Sequence, residues 1–391
     1  MTIRTDQALL LPQPDGTLRR HVLSEPRAWP TPTRPLLSRV AYAAVHVVSD
    51  PLREPNGSGR AQLDWEATLA FRRHIWSYGL GVAEAMDTAQ RGSGLDWPVA
   101  QELIARSAAE ATAVGGRIVC GVGTDQLPAG PATLAKIVRA YREQCEFVAS
   151  HGARVVVMAS RALAATARSA DDYVRVYEEV VADAPQPVIL HWLGDQFDPA
   201  LAGYWGSTDL ASAIDTVVEF IWAHASAIDG IKLSLLDADA EIELRRRLPE
   251  GVRLYTGDDL NYPQLIAGDG VRYSDALLGV FDPIAPIASA ALAALDARDA
   301  NRSHELLTST VELARHLFAA PTASYKAGIV LLAYLNGHQD HLRMVGGMEG
   351  VRSISHMTRT FVLADRAGLI VDPERAAVRM RAVLAVAGIE G

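Results

Sequence analysis

The amino-acid sequence predicts an α/β protein, a (β/α)8 TIM barrel with an N-terminal arm and a C-terminal helical extension. From residue 38 onward, eight short apolar runs rich in β-branched residues alternate with longer segments of helical period, the pattern of repeated βα units. Eight units close a barrel, whereas doubly wound sheets usually have fewer strands. After the eighth run the pattern is almost entirely helical. We expect a single domain that consists of an arm over 1–37, a barrel over 38–290 and a helical extension packed on the barrel over 291–391.

The arm is predicted to contain a hairpin. Apolar residues at 9–11 and 18–23 flank Pro14, Asp15 and Gly16, residue types that are typical of a tight turn. Such an arm would either grip a second subunit or lie as a loosely docked tail. The residues alone leave both alternatives open.

The strands and helices of the barrel follow in alternation. The eight candidate strands cover 39–48, 81–86, 117–122, 154–158, 187–192, 230–233, 253–256 and 275–280. Helical patterns lie between strands over 63–78, 99–114, 131–150, 170–182 and 210–225. Further helices are predicted after the last strand, over 285–299, 303–317, 325–335 and 373–387. The final helix begins with Asp372 as N-cap and Pro373 in its first turn.

Composition and charge disfavour several classes of protein. Apolar residues make up 49% of the chain and charged residues 21%, as in a globular protein with a large core. The 37 Lys and Arg against 46 Asp and Glu give a net charge of −9, which disfavours nucleic acid or anionic lipid as partners. Cys120 and Cys145 form no redox or zinc-type pair, and no apolar run is long enough for a signal peptide or a membrane span. We expect a cytoplasmic enzyme.

In a barrel of this kind the active site lies at the carboxyl ends of the strands. The candidate polar residues at those positions are His46, Glu84, Asp87, Thr88, Ser160, Arg161, His191, Lys232, Ser234 and Asp258. Lys232 is the most informative, because a lysine between Ile231 and Leu233 would point into the barrel, where burial disfavours the ammonium form. A desolvated lysine is a nucleophile toward carbonyl groups. Alternatively, Lys232 pairs with a carboxylate such as Glu84 or Asp258.

Two segments resemble a known family. The run Asp229-Gly-Ile-Lys-Leu-Ser-Leu-Leu-Asp237, followed by Leu254-Tyr-Thr-Gly-Asp-Asp259, is similar to the lysine strand and following turn of the dihydrodipicolinate synthase and N-acetylneuraminate lyase family. Runs at 118–124, 187–190, 325–328 and 342–343 agree with that family in order, so the resemblance spans roughly residues 38–375. It implies a barrel with a helical tail, a homo-oligomer, and Lys232 as the imine-forming lysine.

The sequence departs from that family at two positions. The family has a proton-relay tyrosine after the fourth strand, where this chain has Ser160 and Arg161. His191 is the candidate replacement acid or base, and the alternative is a packed histidine that takes no part in the chemistry. The family's carboxylate-binding turn after the second strand contains Asp87 here, followed by Thr88. A carboxylate beside Asp87 would be repelled by roughly 1–4 kcal/mol, which predicts a neutral ketone or a hydroxylated, sugar-derived substrate. Arg161 would either pair with Asp87 or bind a substrate carboxylate itself.

These residues lead to one leading hypothesis and two rivals. The leading hypothesis is a carbon–carbon lyase, aldolase or related dehydratase that forms a Schiff base on Lys232 with a small carbonyl substrate, with His191 and Arg161 as further catalytic residues. The expected substrate-binding residues are Glu84, Asp87, Thr88, Ser234 and Asp258. The first rival is a metal-dependent barrel lyase or isomerase with a divalent ion on His46, Glu84, Asp87 or His191, and the second is an inactive ligand-binding barrel. The leading hypothesis requires no metal and no organic cofactor, and we expect a dimer or tetramer.

Overall fold

The computed structural model describes residues 8–53 and 60–389. Residues 1–7 of the predicted arm and residues 390–391 of the predicted extension therefore lie outside the described residues.

The N-terminal segment forms a hairpin that packs on the C-terminal helices of the same chain. Strands β1 (Ala8–Pro12) and β2 (Leu18–Val22) pair in antiparallel register around the predicted turn. The His21 ring lies 3.0 Å from the Asp365 carboxylate, and the Thr358 hydroxyl donates a 3.1 Å hydrogen bond to the Pro12 carbonyl oxygen. Leu9 is almost fully buried. Within the described chain the hairpin is thus closely packed on its own helices, and the contact with a second subunit stays a prediction.

Eight parallel strands close into a barrel, which confirms the predicted fold class. In chain order they are β3 (Ala41–Ala44), β4 (Gly81–Glu84), β5 (Ile118–Val122), β6 (Arg154–Val157), β7 (Val188–Leu193), β8 (Ile228–Ser234), β9 (Arg253–Thr256) and β10 (Asp275–Leu278). Each strand pairs with the next, and β10 pairs with β3 to close the ring.

Helices cover the barrel between its strands. They are α1 (Trp65–Ser77), α2 (Trp97–Val114), α3 (Leu134–Ser150), α4 (Arg161–Thr166), α5 (Ala170–Ala182), α6 (Leu210–Ala223), α7 (Ala238–Arg247) and α8 (Tyr262–Ala267). Several of these helices are capped by a short polar side chain that accepts a hydrogen bond from a backbone N–H group of the first turn. Asp64 does so for α1 and Thr133 for α3. Each strand is thereby followed by a helix that begins close to the barrel mouth.

A helical extension follows β10, as predicted, with two differences in its elements. It contains α9 (Ala285–Asp296), α10 (Ala300–Thr308), α11 (Val311–Leu317), α12 (Lys326–Asn336), α13 (Ile354–Ala367) and α14 (Pro373–Val386). The predicted helix over 303–317 is two helices, and α13 was not predicted. The first helix, α9, crosses the expected boundary at residue 290 without a break.

The barrel lumen has its own apolar layer, separate from the layers between strands and helices. Side chains such as Tyr42, Ala83, Val119 and Tyr255 cluster inside it. Strand residues that alternate with these face the surrounding helices instead.

No single helix in the described ranges is both long enough and apolar enough to cross a membrane. One pair of helical segments, Ala300–Leu317 and Thr322–Asn336, passes the same test on length and composition when taken together, with a bend of 110° between them.

Candidate active site

Lys232 lies near the carboxyl end of β8 and faces the lumen. Its neighbours Ile231 and Leu233 pack in the layer between barrel and helices, so strand alternation turns Lys232 to the opposite side. The side chain is buried, with 8% of the residue exposed. Directly after the next strand, β9, a Cβ atom at Gly257 would lie 2.8 Å from Cε of Lys232 and 2.1 Å from Oγ of Ser234. Glycine at 257 therefore leaves room for both side chains.

The Lys232 amine is partly desolvated and faces two carboxylates. Burial lowers the pKa of Lys232 to about 8, and the charges of Asp259 and Asp87 limit that fall. Asp259 is buried as well and accepts a 2.7 Å hydrogen bond from the Val280 backbone N–H. Burial raises the pKa of Asp259 to about 7. Burial therefore raises the uncharged fraction of both the amine and this acid above that of the same groups in water.

The turn after β4 carries Asp87 to the barrel mouth. It begins with Ala85 in the left-handed region, at φ 52°, which is an unfavourable conformation for a residue with a side chain. Asp87 Oδ2 lies 3.0 Å from Nζ of Lys326, at the start of α12 in the extension. Lys326 is buried and also donates to the Ala323 carbonyl oxygen at 3.0 Å. The charge of Asp87 is thus offset by Lys326, a residue that the sequence interpretation did not include in the site.

Thr88, the next residue of the same turn, is bonded to a tyrosine of the extension. Its hydroxyl lies 2.7 Å from the Tyr325 hydroxyl, and both side chains are buried. Burial and the charge of Asp87 raise the pKa of Tyr325 well above its ordinary value, so the phenol keeps its proton. The Tyr325 ring stacks on Phe318. Tyr325 is a second residue from the extension that the sequence interpretation did not include.

His191 on β7 lies beside Lys232 in the strand register. Its Nε2 is 3.2 Å from the Ser234 hydroxyl, and its Nδ1 is buried with no hydrogen-bond partner in the described residues. Burial, together with the positive charge of Lys232, holds the pKa of His191 well below its ordinary value. The ring is therefore neutral at physiological pH and has one nitrogen available to a ligand.

A cavity of about 420 Å³ opens above these groups. Polar lining comes from the strand ends and from α12, and apolar lining comes from the barrel loops and from the segment that follows α12. The lining side chains include Asp87, Arg91, Thr124, Ser160, Arg161, His191, Lys326, Met158, Leu193, Phe197, Met344, Met348 and Val351. Lys232 is not a lining residue, so its amine lies below the cavity, in the lumen.

The segment after α12 is fixed over this cavity by one side-chain amide. Gln90 donates from Nε2 to the Val345 carbonyl oxygen at 2.9 Å and accepts from the Val345 N–H at 3.2 Å. A Cβ atom at Gly94 would lie 2.8 Å from a Val345 methyl group, so the segment and the turn after β4 are in close contact. The extension therefore forms part of the cavity wall.

Two residues predicted for the site, Glu84 and Asp258, have other partners. Glu84 is fully buried and forms two 2.9 Å hydrogen bonds with the Arg72 guanidinium of α1, so it faces away from the lumen. Asp258 accepts hydrogen bonds from the backbone N–H groups of Leu260 and Asn261 and thereby closes a turn. The negative charge next to Lys232 after β9 is that of Asp259 and not of Asp258, and it raises the pKa of the lysine.

Arg161 lines the cavity but does not pair with Asp87. Its guanidinium forms an ion pair with Asp198, and 61% of its side chain is exposed. Ser160 caps α4 and bonds the Thr124 hydroxyl at 2.6 Å. The alternative in which Arg161 cancels the charge of Asp87 is therefore wrong, because Asp87 pairs with Lys326 instead.

The four side chains of the rival metal site are not brought together. His46 bonds Asp282 at 2.7 Å, Glu84 bonds Arg72, and Asp87 pairs with Lys326. Within residues 8–53 and 60–389, no group of three or more His, Cys, Asp or Glu side chains is arranged to hold a metal ion.

Comparison with solved structures identifies the fold. Dihydrodipicolinate synthase from Thermotoga maritima superposes with a TM-score of 0.64 at 14% identity, covering 85% of this chain and 99% of its own. YagE from E. coli K12, a prophage protein of the dihydrodipicolinic acid synthase family crystallised with pyruvate, gives 0.65 at 14%, covering 84% and 98%. The 4-hydroxy-tetrahydrodipicolinate synthase of Methylacidiphilum fumariolicum SolV gives 0.64 at 16%, covering 87% and 99%. At these identities the likeness is one of fold.

Barrel, extension and structural relatives together define a (β/α)8 barrel protein with the fold of the dihydrodipicolinate synthase family. Within that fold, the chain belongs to the divergent family described as "Protein of unknown function (DUF993)", whose model matches residues 9–389. No curated protein matches the sequence.

Proposed function

We propose that this protein is a carbon–carbon lyase or related dehydratase that forms an imine between Lys232 and a small carbonyl substrate. The observation that carries the proposal is the buried Lys232 amine at the carboxyl end of β8, with a pKa of about 8. At pH 7 about one such amine in ten is uncharged, against a few in ten thousand for an ordinary lysine. Only the uncharged amine attacks a carbonyl carbon.

The reaction begins with bond formation between Nζ of Lys232 and the carbonyl carbon. The carbonyl oxygen leaves as water after it has received a proton, and the nitrogen becomes an iminium. The iminium then accepts the electron pair released when a carbon–carbon or carbon–hydrogen bond breaks at the adjacent carbon. Water finally hydrolyses the imine and restores the amine. Asp259 supports the dehydration step, because an acid with a pKa of about 7 exchanges protons readily at neutral pH.

Two neutral groups are available for the other proton transfers. His191 has an unpartnered Nδ1 in the cavity wall, and its low pKa suits a hydrogen-bond partner or a weak base. Tyr325 keeps its proton and bonds Thr88, so it suits a hydrogen-bond donor at the turn after β4. At the position of the family's relay tyrosine, after the fourth strand of the barrel, this chain has Ser160.

The site favours a ketone whose binding end is neutral or hydroxylated. Asp87 is paired with Lys326, and the Thr88 hydroxyl is bonded to Tyr325, so a substrate carboxylate at this turn would have to displace existing partners. Arg91 is also engaged, through two 2.7 Å hydrogen bonds to Asp125. Substrate hydroxyls, by contrast, can donate to the remaining lone pairs of the Asp87 carboxylate.

The proposal is tested by borohydride trapping, and the chain suits that experiment because it has only three lysines, at 136, 232 and 326. The protein is reduced with borohydride in the presence of pyruvate or of dihydroxyacetone, a neutral hydroxyketone. Intact-mass spectrometry measures the mass of the adduct, and peptide mapping identifies the modified lysine. We expect an adduct on Lys232, stronger with dihydroxyacetone, that is lost in Lys232→Arg. The exposed-lysine variant Lys136→Arg is the matched control and should keep it.

Each other outcome has a definite meaning. An adduct on Lys326 would transfer the imine to the lysine that lines the cavity and overturn the assignment of Lys232. Efficient trapping of pyruvate that depends on Arg161 would overturn the neutral-substrate assignment and leave a keto-acid lyase. Failure with every carbonyl compound would refute the imine mechanism, and metal analysis of the purified protein would then separate the metal-dependent rival from the inactive barrel.

A further inference from the structure

A second cavity, of about 640 Å³, lies between the N-terminal hairpin and the extension. Its walls come from β1, the hairpin turn, β2, the end of α11 and one side of α13 along most of its length. None of its lining residues lines the cavity above Lys232. It is therefore a separate site, formed only where the two ends of the described chain meet.

The lining of this cavity is basic, although the protein as a whole is acidic. Four arginines line it, Arg19 and Arg20 from β2 and Arg359 and Arg366 from α13, and no Asp or Glu does. The chain overall has a net charge of −9. Such a local excess of one sign produces a positive potential that attracts anions.

Most of these arginines have no partner among the described residues. Arg359 pairs with Glu312 outside the lining, but the side chains of Arg19, Arg20 and Arg366 make no hydrogen bond or ion pair with any other described residue. Guanidinium groups normally bind carboxylates or phosphates through paired N–H donors. Arg19 shares its side of β2 with His21, which contacts α13, whereas Arg20 faces the other side of the hairpin. Arg19 and Arg366 thus line one cavity with no anionic side chain among its lining residues, which leaves that role to a ligand.

Neutral hydrogen-bond donors lie beside the arginines. Ser353 and Ser355 line the cavity at the start of α13, where the helix dipole adds positive potential. The Nε2 atom of His356 is buried and has no hydrogen-bond partner in the described residues. The His356 ring stacks on that of His316, with centroids 3.9 Å apart, and both line the cavity.

We propose that this cavity binds a small molecule bearing phosphate groups, with Arg19 and Arg366 as its principal contacts. Phosphate fits the planar donors of arginine, and more than one phosphate is needed to reach arginines on both walls. The size of the cavity suits a metabolite rather than a polymer. This assignment does not depend on the chemistry proposed for Lys232.

The test is isothermal titration calorimetry of the full-length protein with inorganic pyrophosphate, at fixed ionic strength. We expect saturable binding of one pyrophosphate per chain, weakened at least about tenfold in Arg19→Gln/Arg366→Gln, since hydrogen bonds to charged groups contribute roughly one to two powers of ten in affinity. These substitutions break no described contact, so the fold should survive. The matched control is Arg139→Gln, which removes an exposed arginine of α3 and should leave binding unchanged.

Two results would overturn the proposal. One is the absence of saturable binding at millimolar pyrophosphate, or unchanged affinity in the double variant. The other is loss of binding in Arg161→Gln instead, which would assign the anion to the cavity above Lys232. Citrate is titrated in parallel to distinguish phosphate from carboxylate recognition, and stronger binding of citrate would also contradict the assignment.

Discussion

Replacing Lys232 by methionine is expected to stabilise the folded protein at neutral pH. Folding lowers the pKa of this lysine from 10.5 to about 8. Each tenfold loss of proton affinity corresponds to about 1.36 kcal/mol, so the buried amine destabilises the folded state by roughly 3 kcal/mol at pH 7. Removing the amine relieves this penalty. Part of that stabilisation is lost in Lys232→Met, because Asp259 no longer has a positive neighbour. We therefore expect Lys232→Met to raise the free energy of unfolding by about 1–2 kcal/mol.

The effect has a defined pH dependence. The folded state binds the proton of Lys232 less tightly than the unfolded state, so the penalty is complete below pH 8 and is relieved between pH 8 and 10.5. The advantage of the variant should therefore shrink from pH 7 to pH 10. Urea denaturation of both proteins, followed by circular dichroism at each pH, measures the difference. Comparison at the same pH removes the contribution of titrating groups that do not interact with Lys232.

A matched control is available in Lys136→Met, which removes an exposed lysine of α3 and should change stability by less than about 0.5 kcal/mol. A Lys232→Met variant that is less stable than the parent at pH 7 would refute the reasoning. An advantage that grows toward pH 10 would refute it too, since either result means that the amine is not desolvated in the folded protein.

Other expectations concern the same site and the assembly. Asp87→Thr should increase borohydride trapping of pyruvate, because it removes a negative charge and frees the buried ammonium of Lys326; an unchanged yield with pyruvate would contradict the role of Asp87. Arg161→Ala should keep the trapping of neutral ketones. Arg72→Met should lower the free energy of unfolding by about 3–5 kcal/mol in chemical denaturation, because it leaves Glu84 buried without its partner, and a loss under 1 kcal/mol would contradict a buried pair. Light scattering at micromolar concentration should give at least a dimer, and a monomer would count against the expected oligomer.

The alternation of strands and helices was sufficient to predict the barrel. It also predicted the direction of Lys232, because the apolar residues on either side of it had to face the helices. The same alternation, applied to β4, would have turned Glu84 outward, since Ala83 packs in the lumen. The missing information was a partner on α1, and Arg72 is a basic residue on a helix whose facing surface cannot be read from the sequence.

The neighbours of the lysine were harder to predict because they depend on distant parts of the chain. Thr88 and Tyr325 are 237 residues apart, and no local pattern relates them. Adjacent acids raise a different problem, since Asp258 and Asp259 follow the same strand and only the turn geometry decides which one faces Lys232. Helix α13 was missed because Thr358 and Thr360 weaken an otherwise amphipathic pattern, and their hydroxyls bond backbone carbonyls in the folded helix.

The contribution of the extension to the cavity bears on how such a protein changes during evolution. Lys326 and the segment fixed by Gln90 belong to the part of the chain that follows the barrel, while Lys232 belongs to the barrel itself. Substitutions, insertions or exchange of the extension can therefore alter the shape and charge of the substrate cavity while the strand bearing the amine stays intact. Selection for a new substrate can act on one portion of the gene without disturbing the portion that encodes the reactive group.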